Sequence, residues 1–142
     1  MEKIICRRII SFGLDNRLFP ITQHGFLPGR STSLLSCLDK WSRTMNQTDP
    51  VDITYMDFHK AFDKVPHRRL LFKIGKMGIK GCLLKRLSAF LSDRSFYVKV
   101  RDSFSNTFAV KSGVPHGSVL GSVLFALYIS DLSYLLKSDK DA

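Results

Sequence analysis

Asp57 ends the run VDITYMD, in which Val51, Ile53 and Tyr55 alternate with Asp52, Thr54 and Met56. Such alternation is the pattern of a β-strand, so the sequence predicts a carboxylate at a strand end. A carboxylate so placed, followed by a turn into a helix, can hold a divalent cation where backbone amides also reach phosphate oxygens. The ordinary alternative is an aspartate that forms a turn or caps a helix. Two-metal phosphoryl chemistry needs a second convergent carboxylate, because one aspartate does not hold two cations about 4 Å apart. Asp63 follows on the next predicted helical turn, where its expected role is a cap or an ion pair with Arg68 or Arg69 rather than a metal contact. A second segment, Ser112-Gly113-Val114-Pro115-His116-Gly117-Ser118, has the composition of a tight loop. Cys6, Cys37 and Cys82 match neither a zinc-ligand nor a disulfide spacing and are expected to be reduced, small hydrophobic residues.

The segments around these groups must position them. Ile5, Ile9 and Phe12 predict a helix over 2–13, ended by Asp15, Asn16 and Pro20. Beyond a stretch broken by Gly25, Pro28 and Gly29, the residues Leu34, Leu35, Leu38, Trp41 and Met45 mark one face of a helix that Ser31 or Ser33 would cap. Core packing is the simplest role for that stripe. Pro66 opens a helix with an apolar stripe of Leu70, Leu71, Ile74 and Met77, and with His67, Arg68, Arg69, Lys73 and Lys76 on its other flank, before Gly78 stops it. After Gly81 the pattern repeats in Leu83, Leu84, Leu87, Phe90 and Leu91, with Lys85 and Arg86 outward. Phe96, Val98 and Val100, then Phe104, Phe108 and Val110, predict a β-hairpin that turns at Asp102-Ser103. An apolar helix from about Val119 to Leu136 follows, and the expected fold class is α+β.

The 142 residues are 44% hydrophobic and 24% charged, which excludes a disordered or collagen-like chain and suits one domain with a core. A net charge of +10 points to a polyanionic partner, because Lys and Arg neutralise phosphates and release their counterions. The apolar stretch Val119 to Ile129 is interrupted by Gly121 and Ser122 and is shorter than the roughly 18 to 20 residues of a membrane span. The start, MEKIICRRIISFG, lacks the unbroken apolar core of a secretory signal. An intracellular protein outside the membrane is expected, in nucleus or cytoplasm.

Three runs occur in order: Gln23 to Thr32 (QHGFLPGRST), Ile53 to His67 (ITYMDFHKAFDKVPH) and Ser112 to Leu132 (SGVPHGSVLGSVLFALYISDL). They resemble consecutive blocks of the reverse-transcriptase domain of non-LTR, LINE-type retrotransposons. The segment Arg68 to Arg94 also reads like that family, so the resemblance covers nearly the whole chain. It implies an RNA-directed DNA polymerase with the partial fingers and palm of a right-hand fold: fingers elements about 1–50 and 66–113, palm elements about 51–65 and 114–142. The implied partners are an RNA template, a DNA primer and a deoxynucleoside triphosphate, with Mg²⁺ as cofactor in transfer to the primer 3′-hydroxyl.

Carried over residue by residue, the resemblance matches Asp57 to the first metal-binding aspartate, with the carbonyl of Phe58 as a second oxygen ligand. Lys60 and Ala61 match positions whose amides touch the triphosphate, and Phe62 matches the aromatic gate under the sugar. His116 and Gly117 belong to the loop that contacts nucleotide and template-primer. Gln23, Gly25, Phe26 and Arg30 match the block before the palm, Arg30 as a phosphate contact. A phosphate backbone would follow Arg68, Arg69, Lys73, Lys76, Lys85, Arg86, Lys99 and Arg101.

The sequence also departs from the pattern. His116 stands where the family has glutamine, and imidazole does not reproduce an amide's paired donor and acceptor. Ser122 replaces a common proline. No Tyr/Phe-x-Asp-Asp block occurs, and the basic fingers hairpin with the family's main triphosphate-binding lysine and arginine is also missing. The expectation is a fragment truncated at both ends and inactive alone. A strand at Asp57 without its partner hairpin would expose an edge and part of the last helix's apolar face. Two other readings remain: a noncatalytic, basic nucleic-acid-binding module, or the remnant of a decayed retrotransposon.

Overall fold

The structure, a computed structural model, describes residues 1–30, 33–46 and 52–135. Its core is organised on α5 (Val119–Tyr128), whose sequence VLGSVLFALY carries no charge. A helix that is apolar on every side must be covered on every side. Leu120 and the run Val123 to Leu127 are accordingly buried, against the expectation that part of this helix would lie bare. α1 (Glu2–Asp15) packs on α5 with Cys6 and Ile9 buried, and α3 (His67–Lys76) packs on it with Leu70 and Ile74 buried. α4 (Gly81–Leu91) lies against α3 and buries Leu87 and Leu91. These helices stand where their stripes predict, and the apolar spacing supplies the reason.

The Ser118 hydroxyl starts α5 by accepting the N–H of Gly121 at 3.1 Å, and it donates to Glu2 Oε2 at 2.9 Å, which ties the helix start to α1. The other end differs from the sequence reading. α5 stops at Tyr128, and the chain turns before α6 (Leu132–Leu135) instead of continuing to Leu136. Here the Lys73 ammonium donates to the carbonyl of Tyr128 and pairs with Asp131 Oδ1 at 2.6 Å. A cation at a helix C-terminus stabilises the exposed carbonyls and favours a stop at that point.

The hairpin forms as two short antiparallel ladders. β1 (Ser95–Phe96) pairs with β4 (Phe108–Ala109), and β2 (Lys99–Val100) pairs with β3 (Ser103–Phe104). Val100 faces Ser103, so the turn is Arg101-Asp102, one residue earlier than expected. Between the ladders, Ser105 N–H donates to the Val98 carbonyl at 2.9 Å and Val98 N–H donates to Ser105 Oγ at 2.8 Å.

Two expectations are corrected. Residues 52–57 form no strand and are exposed, Tyr55 by 77%. No strand lies beside them among the described residues, and an extended segment without a neighbour leaves its backbone groups to water. The apolar stripe of α2 (Ser33–Met45) is also not core packing, since Leu35 is 66% exposed and Leu38 and Met45 are exposed with it. Trp41 only meets the edge of Tyr55, with ring centroids 6.4 Å apart. The cap expected from Ser31, or from the Ser33 side chain, falls outside the described residues.

The cysteines are free thiols, as their spacing suggests, although only Cys6 is buried. Burial pushes the Cys6 thiol up from its ordinary value. A raised pKa leaves less thiolate at any given pH, so a maleimide is expected to label the exposed Cys37 and Cys82 quickly and Cys6 only after unfolding. Mass spectrometry of the labelled native chain checks this, and fast labelling of Cys6 would mean that α1 detaches from α5. No helix among the described residues is long and apolar enough to cross a membrane.

Candidate functional site

After Asp57 the chain coils through an irregular turn. Phe58 N–H donates to Asp57 Oδ1 at 2.9 Å, Lys60 takes a left-handed φ of 53°, and Lys64 N–H reaches the Lys60 carbonyl at 3.1 Å. The loop 112–118 is stitched to this turn. Gly113 N–H donates to the Val65 carbonyl at 2.8 Å, and Val114 N–H to the Phe62 carbonyl at 2.9 Å. Ser112 Oγ donates to the Asp63 carbonyl at 2.8 Å. His67 Nε2 lies 2.8 Å from the Gly113 carbonyl, which can only accept, so that nitrogen carries the proton. At the crossing, a Cβ on Gly113 would stand 2.9 Å from Asp63 Cα. Only glycine allows backbones to approach so closely.

Side chains from all three sequence runs meet at this seam. Phe62 stacks on Phe125 at 4.5 Å between centroids, meets Phe26 edge-on at 5.4 Å and lies 5.4 Å from the His116 ring. Phe26 reaches the cluster from a left-handed backbone, φ 64°. Its loop is held from within: Gln23 Nε2 donates to the Gly25 carbonyl at 3.0 Å, and Arg30 Nη1 donates to the carbonyls of Pro20 at 2.9 Å and Gln23 at 3.4 Å. His116 Nε2 sits 2.8 Å from Asp63 Oδ1. Asp63 therefore pairs with His116, not with Arg68 or Arg69 as the sequence suggested. Both side chains are largely exposed, so the pair is worth at most about 1 kcal/mol and its effect is mainly positional. Neither this pair nor the Phe26–Phe62–Phe125 cluster leaves a local signal in the sequence, because the partners lie dozens of residues apart.

The carboxylate of Asp57 and the adjacent carbonyl of Phe58 are hard oxygen donors of the kind that Mg²⁺ takes. Among the described residues, however, no three His, Cys, Asp or Glu side chains come together to hold a metal ion. The residues present do not complete a two-cation centre, and no chemical step is routed through one. Of the expected phosphate-tracking cations, Arg68, Arg69 and Lys76 on α3, Lys85 and Arg86 on α4, and Lys99 and Arg101 at the hairpin are exposed. Lys73 is turned inward onto Tyr128 and Asp131, with a side chain only 19% exposed.

Motifs and fold together belong to one family. The chain is a member of the reverse transcriptase (RNA-dependent DNA polymerase) family, whose model matches residues 1–141. It is 32% identical over 133 residues to the probable RNA-directed DNA polymerase from transposon BS of Drosophila melanogaster, covering 92% of this chain and 15% of that protein. It is 29% identical over 134 residues to the RNA-directed DNA polymerase from mobile element jockey of the same species, covering 93% and 14%. A putative COX1/OXI3 intron 2 protein of Saccharomyces cerevisiae is 28% identical over 144 residues, covering 96% and 15%. The chain thus spans about 15% of the length of these relatives. No solved structure matches it. The resemblance read from the three sequence runs is borne out by the family and by the transposon relatives. Members of the family generally use divalent metal ions.

Proposed function

We propose that these residues are the nucleotide-facing part of an RNA-directed DNA polymerase. The turn at Asp57, the loop 112–118 and α5 are its palm elements, and α1 to α4 with the hairpin are its fingers elements. The observation that carries this reading is the seam: blocks that the family resemblance assigns to one nucleotide site lie within hydrogen-bonding distance here, through Gly113 to Val65 and His116 to Asp63. In this reading Asp57 and the Phe58 carbonyl supply two oxygen ligands for Mg²⁺. The turn at Lys60 and Ala61 presents amides to the triphosphate. The Phe62 ring, braced from behind by Phe125, closes the space under the sugar. His116 and Gly117 face the nucleotide and the primer-template duplex. Arg68, Arg69, Lys85 and Arg86 follow its phosphates, with Arg30 as a further contact. The bound partners are an RNA template, a DNA primer and a deoxynucleoside triphosphate.

With one metal-binding carboxylate, the 142 residues by themselves bind nucleic acid and do not extend it. Binding to a primed RNA–DNA hybrid is expected to weaken steeply with salt, with log K falling by about 3 to 4 per tenfold increase if the four helix cations each meet a phosphate. Anisotropy titrations between low and high salt measure this, and an affinity that ignores salt would sink the reading. Primer extension in Mg²⁺ is expected to be absent. Extension that disappears in Asp57→Asn would instead show that a complete metal site assembles from these residues alone.

A further inference from the structure

Between the base of the hairpin and the loop 112–118 lies a cavity of about 560 Å³, lined by Arg94, Phe96, Lys111, Ser112, His116 and Asp63 among others. Arg94 is its unusual member. Its Nη1 is buried and has no hydrogen-bond partner among the described residues. A buried guanidinium N–H without an acceptor is costly, and native proteins rarely leave one unmatched unless a ligand or ion completes it. The side chain is anchored from behind, because the Arg94 carbonyl accepts Val110 N–H at 2.8 Å and the next residue enters the β1–β4 ladder.

The charge around the cavity selects the ligand's sign. Arg94 and Lys111 face a single carboxylate, that of Asp63, which already accepts from His116. An anion with several acceptor oxygens fits such a lining, and the forked guanidinium suits phosphate in particular. Phe96 adds a second kind of recognition. Its ring lines the same cavity and is 51% exposed, while Phe108 supports it at 5.9 Å between centroids. An exposed aromatic face beside a basic group is the combination that holds an unpaired base and its phosphate. The volume exceeds what a phosphate group alone would fill.

We propose that this cavity takes one nucleotide unit of a single nucleic-acid strand, with its phosphate oxygens on Arg94 and Lys111 and its base against Phe96. The inference rests on the nucleic-acid reading above only for the source of the phosphate. Its test uses the 142-residue chain, a fluorescent single-stranded oligodeoxynucleotide read by anisotropy, and inorganic phosphate as the alternative ligand. Lys111→Gln and Phe96→Ala are each expected to weaken strand binding by about fivefold or more. Arg7→Gln, an equal loss of charge on exposed α1, is expected to change it by less than about twofold. Arg94→Lys, which keeps the charge and loses the fork, is expected to weaken binding as well. Should that variant fail to fold by circular dichroism, the Lys111 and Phe96 variants still decide.

Strand binding that survives both Lys111→Gln and Phe96→Ala, or that falls equally with Arg7→Gln, overturns the cavity while leaving the nucleic-acid reading intact. Absence of any strand or hybrid binding by the unaltered chain overturns both. Inorganic phosphate bound as tightly as the oligonucleotide would make this a free-anion site and overturn the assignment to a strand.

Discussion

Gly113→Ala is expected to destabilise the chain by about 3 to 4 kcal/mol, from two sources that act together. The residue has φ 92°, a region where an L side chain is strained by roughly 1 to 2 kcal/mol. The new methyl would also stand 2.9 Å from both the Cα and the carbonyl oxygen of Asp63. That backbone is not free to retreat, because the neighbouring carbonyls of Phe62 and Val65 accept the N–H groups of Val114 and Gly113. Gly117→Ala separates the two sources. Gly117 has φ 76° but nothing within 4 Å of its added Cβ, so only the backbone strain of about 1 to 2 kcal/mol applies. Urea unfolding of both variants measures the difference. Equal losses would mean that the close crossing of the two loops contributes nothing, and the seam would lose its structural support.

Leu124→Ala is the second large effect, expected to cost about 3 to 4 kcal/mol. Leu124 is fully buried in the helix that α1 and α3 both cover, so truncation removes its contacts and leaves a cavity. Such a loss is a large share of the roughly 5 to 15 kcal/mol that separates folded from unfolded domains. Leu38→Ala is the matched comparison. It too belongs to an apolar helical stripe, but Leu38 is 44% exposed, and its replacement should cost less than about 1 kcal/mol. Thermal melts followed by circular dichroism compare the two. A loss at Leu38 as large as that at Leu124 would show that α2 packs against the core after all.

That pair of leucines illustrates how far the sequence is legible. The apolar periodicities of α1, α3 and α4 correctly predict helices, because the spacing of one helical face is a local property of the chain. The same periodicity in α2 predicts the helix and misassigns its environment, since period alone carries no information about what covers a face. The hairpin was legible for the same local reason, and its turn was misplaced by one residue. The strand expected before Asp57 failed for the opposite reason: alternation marks a segment able to pair, and pairing requires a neighbour.

The family was legible because it resides in short ordered runs of residue types: the Asp57 block, the Gln23 block and the Pro-His-Gly loop. The site residues those runs name remain proposals for the binding and extension experiments to decide. The sequence by itself determined the class of protein, the basic charge that suits a polyanion, and the positions of the helices that bury a core. Tertiary structure alone decided that His116 reaches Asp63, that Lys73 turns inward to end α5, that Phe26 and Phe125 brace Phe62, and that Arg94 faces a cavity without a partner. Each of these depends on a distance between groups far apart along the chain, which packing around α5 sets and which no local pattern encodes.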